Sequence, residues 1–582
     1  MTATKKLRER NGCGRTRVGT SDETRASVSV SVSASASVTT TTEAEEDKED
    51  KERVRLLCVF RQRYIEFRLP EVEALVKLAT GLPCKPPTEP SARARASASA
   101  SAPTNEGNTQ SDEGEKHEKR KEDEDEDEEC FQWEYPKGGK KSSDSPFWYL
   151  VAPTRAAANA LATVINERSV LVKVLLDLWS EGESFEDVVQ DLAAEENKEQ
   201  VDKRKSRLAS FHTDDTSFKF IADGFGRKLK TKEQGELIKQ LVALLGFKGR
   251  VEMKQPDELY YVCHACVSTD NSAAVAGLPS FANMWYFGQY LGSGQGYFMK
   301  YNLPDRVYLG PTSMDNEMAA IMANMGQVEK GSMVFDPFVG TGSILVSCAH
   351  FGAITVGGDI DIRVIQWGKT SKKGEKVDVW SNFDEYGLPR PLALLRCDAH
   401  LLPFRDSTEC VFDSIVCDPP YGVRAGGRKS GGKRENMKKV PEEFKDSHIP
   451  STGVYELSEC LADLLDLSAK LLRVGGRLVY FFPCSNGIVL EDFLPSHPCL
   501  TLEHISEQAL TQLFGRKLVT MVKHCDWDPE LAKAHREQAF SPGSDLLRYN
   551  NLHQMVYDVV DNESPETLQE RKQKKRYKSK RV

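Results

Sequence analysis

The sequence predicts an α/β fold with a mostly parallel sheet in its carboxyl-terminal half, preceded by an α+β region. From about residue 305, short apolar strands alternate with helical segments, which is the pattern of a parallel sheet. Upstream of that point, strand-like and helix-like segments follow one another without regular alternation. The chain has 582 residues, 39% of them hydrophobic, so it can fill more than one core.

Charge, hydrophobic runs and cysteine spacing bear on which partners and compartments the chain can have. The net charge of -9 comes largely from acid runs in low-complexity stretches, so it does not exclude a nucleic-acid partner. Because no run of 18 apolar residues occurs, we expect neither a transmembrane helix nor a membrane partner. The fourteen cysteines follow no disulfide-framework spacing, which favours reduced thiols and a cytoplasmic or nuclear location; we predict the cytoplasm. Cys263 and Cys266 form a close pair but lack a second pair, so we expect ordinary thiols and no metal site.

The first 150 residues predict a small domain with two low-complexity stretches. Residues 1–52 are Ser/Thr/Ala-rich and then acidic, a composition typical of disorder, although their basic start faintly resembles a transit peptide. A domain at 53–150 follows, with an insertion at 85–144 that we expect to be a solvated loop. Its predicted elements are strand-like segments within 55–69, a helix at 70–78 that opens with a proline, and a partner strand at 146–151.

Residues 151–300 predict a second α+β domain. Thr231 and Gln234 have the spacing of a capping box, and Gly246 would end the helix that this box begins. A group of lysines beside the box offers a basic surface to RNA, although a solvated face is the ordinary alternative. These lysines are Lys228, Lys230 and Lys232. The predicted elements are helices at 156–165 and 231–245 and strands at 217–222, 250–253 and 259–263.

Residues 301–540 predict the parallel-sheet domain. A leucine-rich helix at 456–473 should lie on one face of the sheet and end at Gly475 and Gly476. The tail at 541–582 is polar, and eight of its last twelve residues are Lys or Arg; a nuclear signal, a phosphate contact and an inert tail are all compatible with it. The predicted strands are 333–335, 354–358, 394–397, 412–417 and 477–482.

A glycine-containing turn follows the first of these strands and opens the next helix. Gly340 and Gly342 allow the backbone to approach a ligand closely, and Asp336 can accept hydrogen bonds from an ammonium group. The segment matches neither the dinucleotide pattern nor the P-loop. It therefore favours S-adenosylmethionine over a pyrophosphate.

The next two strands also end in aspartates. Asp359 can bind both hydroxyls of a ribose, and Asp361 remains the alternative. Asp398, followed by Ala399, can accept from the exocyclic amine of adenine. A single aspartate after a strand is a weak signal, but four successive strand ends that each carry one indicate a cofactor site.

The fourth strand stops at Asp418-Pro419-Pro420-Tyr421. An exocyclic amine is a poor nucleophile because its lone pair is delocalised into the base. If Asp418 and the Pro419 carbonyl accept its two N–H bonds, the lone pair can turn toward the methyl sulfonium. Tyr421 can stack on a flipped base, and Asp418 can take the released proton. The basic, glycine-rich segment 424–445 predicts either a lid on the phosphate backbone or a mobile surface loop.

In these motifs, the chain resembles the catalytic subunits of the eukaryotic tRNA (guanine-10 N2)-methyltransferase family. The resemblance is dense across about 300 to 525 and weaker upstream. It implies a Rossmann-like class I methyltransferase domain at 301–540, preceded by a ferredoxin-like and a THUMP region. The segments that carry it are RVYLGPTSMDNEMAAIMANM (306–325), DPFVGTGSILVSCAHFGAITVGGDID (336–361), CDPPYGVRAGGRK (417–429), GGRLVYFFP (475–483), EFRLPE (66–71) and SPFWYL (145–150).

The resemblance also implies a reaction, partners and residue roles. The reaction is methyl transfer from S-adenosylmethionine to the N2 amine of guanine 10 in tRNA, with a small zinc-binding activator subunit as partner. A methyltransferase acting on another guanine or on adenine remains open, as does a non-catalytic RNA-binding protein. Thr312 and Ser313 would help close the cofactor pocket. The other implied roles are the methionine part for Asp336, Gly340 and Gly342, the ribose for Asp359, adenine for Asp398, and the base for Asp418, Pro419, Pro420 and Tyr421. Phe338 and Ala399 are also expected to bind the cofactor.

Overall fold

The computed structural model describes residues 52–88, 129–266, 283–371, 373–405, 407, 409–421, 427–431, 452–485, 494–510 and 514–541. The predictions for 1–51, for the low-complexity centre of the insertion at 89–128 and for the tail beyond 541 lie outside these residues. Within the described ranges, no helix combines the length and apolarity needed to cross a bilayer.

The upstream strands form one nine-stranded sheet. They are β1 (Val54–Phe60), β2 (Cys84–Thr88), β3 (Phe131–Glu134), β4 (Phe147–Ala152), β5 (Val172–Gly182), β6 (Ser217–Phe225), β7 (Arg250–Val251), β8 (Glu258–Ala265) and β9 (Met284–Gly292). The strand order is β2-β3-β4-β1-β5-β9-β8-β6-β7. The helices of this region are α1 (Arg68–Thr80), α2 (Arg155–Arg168), α3 (Phe185–Ala193), α4 (Glu195–Ser206) and α5 (Thr231–Leu245).

Several upstream elements differ from the sequence-based expectation. The boundary expected between residues 150 and 151 falls inside β4, and β5 pairs with β1, so the two predicted domains share a sheet. The expected insertion at 85–144 was too wide, because β2 and β3 lie within its two ends. The strand-like segment YIEFRL is instead a 3-10 turn at Ile65–Phe67 that leads into α1, whose third residue is Pro70.

The helix α5 has the predicted bounds but not the predicted cap. Thr231 is its first residue, and no side chain caps its amino terminus. The Gln234 side chain donates to the Ala222 carbonyl (2.8 Å), so it ties the helix to β6 instead of closing a capping box. Gly246 ends the helix with φ of 73°, as predicted.

The downstream strands form a seven-stranded sheet. The strands are β10 (Met333–Asp336), β11 (Ile354–Asp359), β14 (Ala393–Arg396), β15 (Phe412–Cys417), β18 (Leu472–Ser485), β19 (Leu500–Ala509) and β20 (Phe514–Lys523). Their order is β14-β11-β10-β15-β18-β20-β19. The first five strands in this order are parallel, and β20 and β19 add an antiparallel edge. Two small antiparallel strand pairs are separate from this sheet: β12 (Lys369–Thr370) with β13 (Lys376–Val377), and β16 (Arg428–Ser430) with β17 (Thr452–Val454).

Among the described residues of this region there are five α-helices: α6 (Asn316–Met325), α7 (Ser343–His350), α8 (Val379–Tyr386), α9 (Leu457–Leu471) and α10 (Pro529–Ala539). The five predicted strands are all present, and β15 has the predicted bounds. Helix α9 ends earlier than predicted, because Leu472 is already extended and begins β18. Gly475, with φ of 83°, is an irregular point within that strand.

The two sheets are joined by a common core and a buried polar cluster. One apolar cluster contains Leu75 of α1, Leu161 of α2 and Ile321 of α6. At its edge, the buried Glu71 carboxylate accepts a hydrogen bond from Asn324 of α6 (2.9 Å). The upstream region is therefore packed directly against the helix that precedes the first parallel strand.

Candidate active site

The four predicted aspartates lie at one edge of the seven-stranded sheet. The neighbouring strands β14, β11, β10 and β15 run parallel, so their carboxyl ends meet at that edge. Asp336 and Asp359 end β10 and β11, Asp418 directly follows β15, and Asp398 comes two residues after the end of β14. This is the edge at which open α/β sheets bind their ligands.

The glycine turn after β10 depends on two left-handed residues, Gly340 (φ 50°) and Gly342 (φ 82°). A Cβ on Gly342 would lie 2.9 Å from Cγ1 of Val379 in α8, which is closer than packed carbons approach. A Cβ on Gly340 would meet no heavy atom nearer than 3.9 Å. Gly342 is thus required by both conformation and space, whereas Gly340 is required by conformation alone.

Asp336 is the most buried of the four aspartates, with 1% of its surface exposed. Its Oδ1 accepts the Phe338 backbone N–H (2.9 Å). Burial raises the pKa of Asp336 well above its usual value, and the nearby carboxylates Asp359 and Asp418 add to this effect. A cationic group placed at this carboxylate would relieve the unfavourable charge.

Asp359 and Asp361 are bonded differently. Asp359 accepts the backbone N–H groups of Gly340 (3.0 Å) and Asp361 (2.8 Å), one on each oxygen, and burial raises its pKa. Each carboxylate oxygen has two lone pairs, so both can still accept a hydroxyl. Asp361 instead forms a side-chain ion pair with Arg363, which lowers its pKa. The geometry favours Asp359 as the ligand-facing residue.

Asp398 is buried and is hydrogen-bonded to strand β16. Its Oδ1 accepts the His400 backbone N–H (3.0 Å), and its Oδ2 accepts the backbone N–H of Ser430 in β16 (2.6 Å). Ala399 beside it is also buried. Of the predicted basic loop at 424–445, the structure describes only residues 427–431. The choice between a lid and a surface loop therefore concerns residues that lie mostly outside the described ranges.

The segment before α6 reaches the glycine turn through Ser313, not through Thr312. The Ser313 hydroxyl lies 2.8 Å from the Thr341 hydroxyl, between the two turn glycines. Thr312 is exposed. Asn382 of α8 also supports the turn by donating to the Thr341 carbonyl (3.0 Å).

The tetrapeptide after β15 forms a partly buried polar site. Pro419 is buried, and Pro420 and Tyr421 are half-buried. The Tyr421 hydroxyl donates to Oδ1 of Asp418. Burial raises the pKa of Asp418 to about 6, although the guanidinium of Arg516 opposes this rise.

Arg516 is the site residue that the sequence did not reveal. It lies on the antiparallel strand β20, and its Nη1 donates to Oδ2 of Asp418 (3.1 Å). Arg516 is a basic residue on an antiparallel strand almost a hundred residues from Asp418, so the pattern of acids after parallel strands does not include it. The available signal was a pair of basic residues, Arg516 and Lys517, early in the mostly apolar run FGRKLVTMV.

Comparison with known proteins places the chain in a family. Residues 139–295 match the model of the Tmrp11 THUMP N-terminal domain, and residues 304–440 match an RMKL-like methyltransferase domain. The tRNA (guanine(10)-N(2))-methyltransferase TRMT11 of Dictyostelium discoideum is 36% identical over 429 residues, which are 72% of this chain and 79% of that protein. The chain belongs to the TRMT11 family.

Other members of the family match this chain with similar identity and coverage. The human TRMT11 protein is 36% identical over 65% of this chain and 80% of its own length, and the Gallus gallus protein is 34% identical over 66% and 82%. Among solved structures, TrmN from Thermus thermophilus covers 65% of this chain and 90% of its own, with 18% identity and a TM-score of 0.30. The resemblance and the fold class predicted from the sequence are confirmed: a THUMP-containing region precedes a class I methyltransferase domain.

The residues at this edge fit S-adenosylmethionine. Three separate acids offer acceptors for an ammonium, a ribose and an adenine amine, and Asp336 in particular is a buried carboxylate suited to a cation. The left-handed turn at Gly340 and Gly342 leaves the backbone free of side chains where a ligand would lie closest. The family match to a methyltransferase domain agrees with this cofactor.

Proposed function

We propose that this chain is the catalytic subunit of a methyltransferase that transfers the methyl group of S-adenosylmethionine to the N2 amine of guanine 10 in tRNA. One observation carries the proposal: Asp418, a partly buried carboxylate, lies at the same sheet edge as the three cofactor-type acids. The activity of the TRMT11 relatives, as their names state it, supports the choice of guanine.

The cofactor would be held by Asp336, Asp359 and Asp398, with the turn at Gly340 and Gly342 beneath it. When bound, it supplies an electrophilic methyl group on a sulfonium. The chain's own residues do the remaining work at the acceptor. Asp418 accepts one N–H of the amine, the Pro419 carbonyl accepts the other, and Tyr421 stacks on the base.

Two states of Asp418 matter to this chemistry. As a carboxylate it polarises the amine, and as a carboxylic acid it holds the proton that the methylated amine releases. A pKa near 6 suits both tasks, because the group is mostly ionised at neutral pH and still able to accept a proton. No histidine is needed for the proton transfer.

The THUMP-containing region would bind the tRNA. The lysines Lys228, Lys230 and Lys232 are exposed beside the start of α5, as a phosphate-binding surface requires.

We further propose that a small zinc-binding activator subunit binds the chain. Strand β14 lies at the edge of its sheet, and two leucines near it are exposed: Leu392, directly before the strand (67%), and Leu401, five residues after it (73%). An exposed strand edge with apolar side chains nearby favours a partner there.

We also propose a cytoplasmic location, which the cysteine spacing of the sequence supports because it fits no disulfide framework.

The test is mass spectrometry of nucleosides from tRNA incubated with the chain and S-adenosylmethionine, with and without the activator. We expect N2-methylguanosine to appear, and to increase when the activator is present. Appearance of N6-methyladenosine in its place would support the alternative adenine reaction. Absence of any methylated nucleoside with the activator present would contradict the proposal.

A further inference from the structure

Arg516 is brought to the candidate acceptor site by the antiparallel edge of the sheet. Strand β20 pairs with β18, and β18 pairs with β15, the strand that leads into Asp418. In this register Arg516 lies opposite Pro483. A side chain from the end of the sheet's long hairpin can thereby reach the carboxyl end of β15.

The Arg516 side chain is held on several sides. Its guanidinium carbon lies 3.7 Å from the centroid of the Phe481 ring, within the range of a cation–π contact. Its Nε donates to Oε1 of Gln508 (2.7 Å), and its Nη2 lies 3.4 Å from Sδ of Met314. Only 11% of the side chain is exposed. A guanidinium held in this way presents one fixed N–H to Asp418.

The two oxygens of Asp418 consequently have different partners. Oδ2 is bound by Arg516, and Oδ1 is bound by the Tyr421 hydroxyl. A tyrosine that stacks on an incoming base must give up that hydroxyl contact, whereas nothing in the stacking requires Arg516 to leave. The Tyr421 hydroxyl therefore occupies the position that an N–H of the acceptor amine would take.

We propose that Arg516 is a positioning residue that binds Oδ2 of Asp418 and so leaves Oδ1 to accept from the acceptor amine. The inference rests on the proposed function and deepens it, since it adds a residue to the acceptor site. The Arg516 Nη1 lies 3.1 Å from Oδ2 of Asp418 and 3.5 Å from the Tyr421 hydroxyl, so Arg516 would act through these two residues and not on the reacting nitrogen or the methyl group.

The charge of Arg516 has a second effect. Burial disfavours the ionised form of Asp418, and the adjacent guanidinium opposes this penalty. Loss of the guanidinium would raise the pKa of Asp418 further, so that less of it is ionised at neutral pH. The titratable or charged groups that face this pair are Asp336 and Cys417 near Asp418, Tyr421 beside it, and Tyr64 and Asp315 near Arg516.

The test compares variants of the full chain with its activator and tRNA. The kcat/KM for tRNA methylation is measured from pH 5.5 to 9, because this ratio reports ionisations of the free enzyme. For Arg516→Gln we expect a loss of at least tenfold at pH 7, partial recovery at higher pH, and an acid limb displaced to higher pH. Affinity for S-adenosylmethionine should stay within about twofold of the wild type.

Arg390→Gln is the matched control. Arg390 forms an exposed ion pair with Asp384 through two hydrogen bonds (2.7 and 2.6 Å). The control substitution therefore removes a guanidinium from an Arg–Asp pair that lies on the surface. Its pH profile should equal that of the wild type. An Arg516→Gln variant with wild-type activity, or with an equal loss at every pH, would overturn the inference.

If Arg516→Gln fails to bind S-adenosylmethionine or to fold, Arg516→Lys decides the question. Lysine keeps the charge but lacks the guanidinium's planar set of donors. We expect an acid limb near that of the wild type with a lower kcat; an unchanged kcat or a displaced limb would overturn the inference. The profile is measured on whichever nucleoside the wild type methylates, so failure of the guanine assignment does not decide the role of Arg516.

Discussion

At the scale of single residues, Asp418 has an environment that combines burial with an adjacent guanidinium. Burial raises the pKa of its carboxyl group to about 6, while Arg516 pulls that pKa down. The sequence was sufficient to predict Asp418, because a strand that ends in two prolines is visible in the sequence. It did not predict Arg516, since the contact depends on how an antiparallel hairpin joins the sheet.

The raised pKa predicts how activity depends on pH. The reaction needs the carboxylate, which is the form present above the pKa, so kcat/KM should fall as the pH is lowered through about 6. Steady-state methylation of tRNA between pH 5 and 8 measures this limb. Activity that stays level down to pH 5, as an aspartate with the ordinary pKa of about 4 would give, would contradict the proposed environment.

Asp418→Asn should abolish the limb as well as most of the activity. The amide keeps the side chain's shape but loses its charge and can no longer hold the released proton, so we expect kcat to fall on the order of 100-fold or more. Binding of S-adenosylmethionine, measured by calorimetry, should persist because the cofactor acids are unchanged. A variant with nearly full activity would exclude the proposed role of Asp418.

At the scale of elements, the glycine turn and the strand ends were predictable because their signals are local. Glycines at fixed spacing after an apolar strand specify a turn that only glycine adopts easily. The failed capping box at Thr231 had a local signal too, yet Gln234 bonds to Ala222 of a neighbouring strand instead. Tertiary contacts can thus replace a local motif without moving the helix.

The two turn glycines should differ in their tolerance of alanine. Gly342→Ala must adopt a φ near 82° and place a Cβ 2.9 Å from Val379, so we expect destabilisation by about 2–3 kcal/mol and weaker binding of S-adenosylmethionine. Gly340→Ala has open space for its Cβ, so only the backbone strain of about 1–2 kcal/mol remains. Thermal denaturation and calorimetry of both variants test this order. A Gly340→Ala variant that is less stable than Gly342→Ala would refute it.

At the scale of the whole molecule, the buried Glu71 links the upstream region to the methyltransferase domain. Its carboxylate accepts from the backbone N–H groups of Val170 and Leu171, from the Ser169 hydroxyl and from Asn324, at 2.8 to 3.1 Å. No sequence pattern indicated this cluster, because its members are up to 253 residues apart and only the packed sheets bring them together.

Removing this carboxylate should destabilise the packed chain. Glu71→Ala leaves several buried donors without an acceptor, so we expect a loss of about 3 kcal/mol or more in the free energy of unfolding. Glu195→Ala is the control: this side chain is 85% exposed and pairs only at the surface with Lys198, so its loss should cost at most about 0.5 kcal/mol. Denaturant titration of both variants measures the difference; equal costs would show that the Glu71 cluster adds nothing to stability.

The central claim, guanine-N2 methylation, is tested most directly with a tRNA that carries inosine in place of guanine 10. Inosine keeps the shape of guanine but lacks the N2 amine, which is the only atom that the proposed acceptor site would methylate. We predict rapid methyl transfer to the guanine-containing tRNA and none to the inosine-containing tRNA, as measured by incorporation of labelled methyl groups. Equal incorporation into both tRNAs would contradict the account.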